Sequence, residues 1–283
     1  AVKWLGRQKD VYAAEAFASA NTLATLRLGL ATNIPCNGVE EFKSLEDLGI
    51  GLRVHFASGR VGFGKESSDL SLNAVKGALE KARKSCIKDP FFVSLPSPSK
   101  EKPALKNYHD PAVLKLNEVQ AVKLAYAVLS DALDAAEKKQ GTRDLNLTGE
   151  LDFLAEQMAV ASTTGISATD QSSIVWGHLT ATIEGERDVA GMHFDSNTHI
   201  RKFNARIGSG AVERALASLE AKPVETRACH LVLGHQVICD IFSNVFDASL
   251  QSVDFNASFL QGRKGQKVFD ESITIYADPH VPF

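Results

Sequence analysis

The chain has 283 residues, 44% hydrophobic and 23% charged, the make-up of an ordinary globular protein with material for about two cores. Lysine and arginine number 31 against 34 acidic residues, a net charge of −3, which argues against polycationic binding of nucleic acid. No apolar run approaches the ~20 residues of a membrane-spanning helix. No secretory signal pattern stands at the start, and Cys36, Cys86, Cys229 and Cys239 show no CxxC spacing, so a reducing cytoplasm is the expected compartment.

Residues 1–9 suit a short helix. Val11–Ala20 and Thr22–Ala31 alternate apolar and polar positions, which predicts two strands joined by a turn at Ser19-Ala20-Asn21. A second turn is predicted at Pro35-Cys36-Asn37-Gly38, where Asn-Gly supplies positive φ. Leu52, Val54 and Phe56 then alternate with Arg53 and His55, Ala57–Arg60 reverses the chain, and Val61 and Phe63 begin a return strand. Ser71 is a good N-cap, Leu70 and Val75 occupy hydrophobic-staple positions, and Leu72, Val75, Leu79 and Ala82 share a helix face.

Cys86–Pro103, rich in Pro, Ser and Lys, reads as an extended linker. Asn117-Glu118-Val119-Gln120 resembles a capping box for a helix with Val122, Tyr126, Leu129, Leu133 and Ala136 inward and Gly141 as its stop. Extended patterning returns over Asp144–Ser162, a turn follows at Thr163-Thr164-Gly165, and Ile174–Ile183 and Val189–Ile200 are further strands. Ser209 is the expected cap of a helix with Val212, Leu216 and Leu219 on one face. The second half therefore repeats the plan of the first: strands, then one helix. Beyond Pro223, Cys229–Leu233 reads as a strand, Val237–Leu250 as a buried helix, Gln261–Gly265 as a basic turn and Ser272–Tyr276 as a strand near the end. The fold class is α+β: antiparallel meander sheets each followed by a helix, two similar units plus the start of a third.

Several residue groups invite a chemical reading. Cys229, His230, His235 and Cys239 are all possible zinc ligands, but their spacing fits no standard zinc signature and adjacent strand residues point apart. His193, Asp195 and His199 alternate along a strand and could form an acid–base pair or metal site; strand faces turned to solvent carry such residues routinely. Gly49-Ile50-Gly51 and Gly62-Phe63-Gly64 flank strands rather than open helices, so backbone packing explains them better than a phosphate loop. Ser209 lacks the spacing of a nucleophile elbow, and Lys76, Lys81, Arg83 and Lys84 make a solvated helix face. No catalytic, cofactor-binding or metal-binding residue is assigned from these patterns, and no cofactor is expected.

Taken together, Glu46–Val54 (E-D-x-G-x-G-x-R-V), Gly59–Phe63 (G-R-V-G-F) and Ser68–Ser71 (S-D-L-S) resemble the TldD/PmbA family. Lys222–Thr226, Ser258–Leu260, Gly265–Val268 and Asp278-Pro279 extend the resemblance downstream. It implies units at 1–88 and 116–222, a linker at 89–115, and at 223–283 the start of a C-terminal domain that continues further in relatives, so the chain is expected to be truncated. Zinc-bearing members of the TldD type carry H-E-x-x-x-H on a helix of that domain. Here no His-Glu pair occurs, and the rough counterpart, Ser243–Ala248, has Ser243, Asn244 and Ala248 at the ligand and base positions. The resemblance is therefore to the PmbA (TldE) type, which implies a zinc-bearing TldD-type partner, or self in a dimer, and unfolded or precursor peptides as substrate in a sheet-lined cavity, with strand addition as the expected mode of holding. The alternatives are an active peptidase with an atypical or missing C-terminal site, and a stand-alone interaction or assembly module. Neither nucleic acid nor membrane is an expected partner.

Overall fold

The computed structural model describes residues 1–35, 38–99, 107–140, 144–246 and 258–276. They fall into two compact units, one over Ala1–Ala221 and one beginning at Lys222.

The first unit opens with a single turn of helix, α1 (Val2–Leu5), and then β1 (Val11–Ala31), β2 (Gly38–Phe56) and β3 (Val61–Ser67). Helix α2 (Leu72–Ser85) closes this meander. Next in chain order come α3 (Pro111–Leu114), α4 (Glu118–Gln140), β4 (Leu145–Ser162), β5 (Ser167–Ile183), β6 (Val189–Asn197) and α5 (Ile207–Ser218). All six strands join one antiparallel sheet in the order β3-β2-β1-β4-β5-β6. The two meanders are thus joined back to back through β1 and β4, whose ladder runs from Glu15↔Ser162 to Ala31↔Asn146 with Leu23↔Leu154 near its middle. The α+β class and the repeated strand–strand–strand–helix plan are both present.

The turn expected at Ser19-Ala20-Asn21 does not exist. β1 is one strand of 21 residues, about 70 Å long at the usual rise. Asn21 pairs with Asp47 on one side and Glu156 on the other, so a reversal there would abandon hydrogen bonds on both flanks. β2 is likewise continuous from Gly38 through the hairpin strand. The Ala57–Arg60 reversal forms as expected, with Gly59 at φ +75°.

Packing on one face of the sheet sets the helices. α2 buries Ala74, Val75, Ala78, Leu79 and Ala82 with Leu5, Ala14, Ala16, Leu52 and Val54. Helices α4 and α5 cover the other half, joining Leu26, Leu28, Leu147, Leu151, Phe153 and Leu179 to Ala125, Leu129, Ala132, Ala211 and Val212. β1 feeds both cores. Gly62 and Gly64 on β3, and Gly191 on β6, let a helix backbone lie directly on the strand: a Cβ at these positions would run into the backbone of Ala82, Ala78 and Ala215, respectively.

Caps follow the sequence in part. Ser71 Oγ accepts from the Asn73 N–H, and Asn117 and Gln120 exchange the reciprocal bonds of a capping box at 3.0 and 3.2 Å. Leu70 stays 47% exposed while Val75 is buried. The inward face of α4 is rotated from the expected stripe: Ala121, Ala125, Val128, Leu129 and Ala132 are buried and Tyr126 is 52% exposed. Small residues win because Gly208 on α5 brings that helix against the Val128 carbonyl. Ser209 is no cap, since it lies within α5 and Arg206 precedes the helix. The Ser209 N–H donates instead to Asp131 Oδ2 at 2.6 Å, a carboxylate supplied by α4. Gly141 and Cys36-Asn37 lie outside the described residues.

In the second unit, α6 (His235–Phe246) is the only α-helix among the described residues. Cys229–Leu233 is irregular and exposed rather than a strand, having no neighbouring strand to pair with among the described residues. Ser272–Tyr276 likewise forms no strand with any of the described residues, and Val237, Ile238 and Ile241 are exposed, so α6 is not the buried helix expected. The turn at Gln261–Gly265 is present, with Gly262 and Gly265 at positive φ. Ala248 and Leu250 lie outside the described residues.

Candidate functional site

Because the helices cover one face of the sheet, residues of opposite parity form an open face. Directly paired positions build transverse rows across it. Leu45, Leu23, Leu154 and Ile174 make an apolar row over four strands. A polar row, Asp47, Asn21, Glu156 and Ser172, lies beside it, with Ser172 Oγ donating to Glu156 Oε2 at 3.0 Å. On the other side, Thr25 Oγ1 donates to Asp152 Oδ1 at 2.6 Å.

The covered face also has an uncovered part. Between the two cores, Ala18 and Ala20 of β1 lie beside Ala159 and Gln157 of β4 and floor a trough of about 540 Å³. Leu70 stands at one wall, and Tyr108 and His109 at another. Gln157 and Gln171 are direct cross-strand partners in it. The Tyr108 phenol is pushed up by its hydrogen bond to the Asp170 carboxylate, and His109 Nδ1 is buried with no hydrogen-bond partner. Nothing in the sequence singles these residues out, because they come from five separate segments that only the fold assembles.

The two outermost strands are partly covered along their free edges. Along β3, Val61 and Ile87 exchange backbone hydrogen bonds, Ser85 Oγ donates to the Phe63 carbonyl, and Lys81 Nζ donates to that of Lys65. On β6, Arg214 reaches the Met192 carbonyl. An extended peptide joining β3 would have to displace these side chains, whereas residues 39–47 of β2 and 167–172 of β5 run past β3 and β6 with a strand neighbour on one side only.

The residue groups named from the sequence do not assemble into a site. Among the described residues no three His, Cys, Asp or Glu side chains converge as metal ligands. Cys229, His230, His235 and Cys239 are exposed along an irregular segment and α6. His193 packs over Gly210 of α5, and burial, then the Arg214 guanidinium, push its pKa down. Asp195 Oδ2 accepts from the Asn204 N–H, and His199 Nδ1 lies 2.9 Å from Thr198 Oγ1, so these two serve the turn after β6. Lys81 pairs with Glu66, and Arg83 with Asp10 and Glu80, as a solvated helix face.

In the second unit, Ile238, Cys239, Phe242 and Ser243 of α6 face Ser272–Tyr276 across a cleft of about 670 Å³. This donor set, the Cys239 thiol and the hydroxyls of Ser243, Ser272, Thr274 and Tyr276 without imidazole or carboxylate, does not fit a zinc centre.

Residues 226–283 match the family described as the PmbA/TldA metallopeptidase C-terminal domain. That match covers the last fifth of the chain. Three solved structures share its fold. A protein described as a modulator of a DNA gyrase from Thermotoga maritima is 16% identical with a TM-score of 0.65, covering 89% of this chain and 56% of that one. Another so described, from Bacteroides thetaiotaomicron, is 17% identical with a TM-score of 0.64 over 89% and 56%. TldE from Thermococcus kodakarensis is 17% identical with a TM-score of 0.62 over 88% and 55%. The chain thus spans just over half the length of those proteins. No curated protein sequence matches it. Among the described residues no helix is long and apolar enough to cross a membrane.

Proposed function

We propose that this chain is a PmbA/TldE-type subunit that binds no zinc itself and works in a TldD/PmbA metallopeptidase complex on unfolded or precursor peptides. The observation that carries this reading is the α6 cleft, whose Ile238, Cys239, Phe242 and Ser243 offer no histidine pair and no glutamate to hold a metal or activate water. The family's domain is described as a metallopeptidase one, so metal and base come from a partner of the TldD type. The compartment is the cytoplasm. The division of the chain at 1–88, 89–115, 116–222 and 223–283 belongs to the same proposal.

Mixing the chain with a cognate zinc-bearing chain tests it: cleavage of an unfolded peptide should require both. Metal analysis of chelator-treated protein is the second arm, and one tightly held zinc per isolated chain would overturn the proposal. So would full peptidase activity of this chain alone.

A further inference from the structure

A strand-interior glycine normally has a cause, because it weakens the strand and packs nothing. At Gly49, Gly62, Gly64, Gly149, Gly177 and Gly191 the cause is steric, since a Cβ would meet neighbouring atoms inside contact distance. Gly51, in the middle of β2, is the exception: a Cβ there would meet nothing within 4 Å, and its φ is not in the left-handed region. Neither packing nor backbone conformation accounts for it.

What Gly51 does is leave a depression on the open face. It pairs with Phe17 on one side and Lys65 on the other, and the neighbouring row is Glu15, Arg53 and Phe63. Phe17 and Phe63 are 41% and 61% exposed at diagonal corners of this saucer, whose volume is about 610 Å³, within the ~300–1,000 Å³ typical of ligand sites. Its charges are unequally engaged. Arg53 pairs with Glu15 at 3.0 Å, and Lys81 with Glu66 at 2.9 Å. The Lys65 ammonium has no ion-pair partner among the described residues, and Arg53 Nε is buried without a hydrogen-bond acceptor.

We propose that this saucer is a peptide-binding subsite that takes one large apolar side chain over Gly51, between Phe17 and Phe63, with an adjacent carboxylate on Lys65. The aromatic walls recognise the apolar side chain, and the free cation selects a carboxylate beside it. Choosing a peptide as the ligand rests on the function proposed above. The site itself lies wholly within the first unit and uses none of the α6 residues.

The test is fluorescence anisotropy with the purified chain and a labelled short peptide ending in a free-carboxylate leucine. Three control peptides carry a C-terminal amide, an internal Leu-Asp pair with an amidated end, or serine in place of leucine. The free-carboxylate peptide should bind and the serine peptide should not. Binding of the Leu-Asp peptide identifies a side-chain carboxylate as sufficient; its failure restricts the site to chain ends. Gly51→Leu puts a side chain into the depression from a Cβ that meets nothing within 4 Å, so it should abolish binding while the thermal midpoint stays within a few degrees of the parent. Lys65→Gln should weaken binding about tenfold, the value of one charge-assisted hydrogen bond. Wild-type affinity in Gly51→Leu, or equal binding of the free-acid and amide-only peptides, overturns the proposal. The assay contains no zinc-bearing chain, so a failed reconstitution of proteolysis and a failed subsite are read separately.

Discussion

The carboxylate of Asp131 on α4 accepts the backbone N–H of Ser209 in the first turn of α5, at 2.6 Å. One helix thus caps another, and the Lys139–Glu213 pair at 2.8 Å adds a second tie farther along. Asp131→Ala should cost about 1–2 kcal/mol, as loss of an N-cap does. Asp131→Asn, which keeps an acceptor, should restore most of it. Urea denaturation measures both, and a silent Asp131→Ala would show that the first turn of α5 is held by other means.

Gly64 and Gly51 make a matched pair of substitutions on adjacent strands. Alanine at Gly64 would run into the Ala78 carbonyl and should destabilise by about 1–3 kcal/mol or abolish folding. Alanine at Gly51 enters open space and should be neutral or stabilise by up to about 1 kcal/mol. Thermal midpoints of the two variants decide the matter, and equal losses would refute the contrast.

His193 gives the fold a pH dependence. Burial and the nearby Arg214 cation depress its pKa below the ordinary 6.5, against the opposing pull of Asp195 and Glu213. The unfolded chain therefore takes up this proton more readily than the folded one. That contribution to stability is complete above about pH 6.5 and declines as pH falls through the window below it. Urea midpoints should drop across this window in the parent and drop less in His193→Gln. An identical slope in the variant would assign the effect to other groups.

The partly covered β3 edge predicts a solubility phenotype. Ser85→Ala with Lys81→Ala removes the side chains that occupy the Phe63 and Lys65 carbonyls. Exposed strand edges recruit other strands. The double variant should scatter light and bind thioflavin sooner than the parent on warming. Unchanged onset would mean that the Val61–Ile87 bridge protects the edge by itself.

The parts legible in the sequence were those governed by neighbours in the chain. Leu52, Val54 and Phe56, the Gly59 turn, the Ser71 cap and the Asn117–Gln120 box are local patterns with local causes, and all are present. Ser19-Ala20-Asn21 misled because small polar residues mark a turn only where no flanking strand claims their backbone; here β2 and β4 both do. Ser209 misled for a related reason, since its N–H is met by Asp131, 78 positions away. The trough of Tyr108, His109, Gln157 and Gln171 carries no signal at all, because its members have no periodicity in common. In contrast, Gly51 and Phe63 were visible as motif residues, but only the surroundings of each glycine separate one that fits a helix from one that leaves space.

The reach of β1 has a mechanical consequence. Ala14 and Ala16 anchor its beginning in one core, and Leu26 and Leu28 anchor its end in the other. The two meanders therefore share a spine, with no hinge at their junction. Melting either core would strip the backing from a strand that the other needs, so residues 11–218 should come apart together, in one transition.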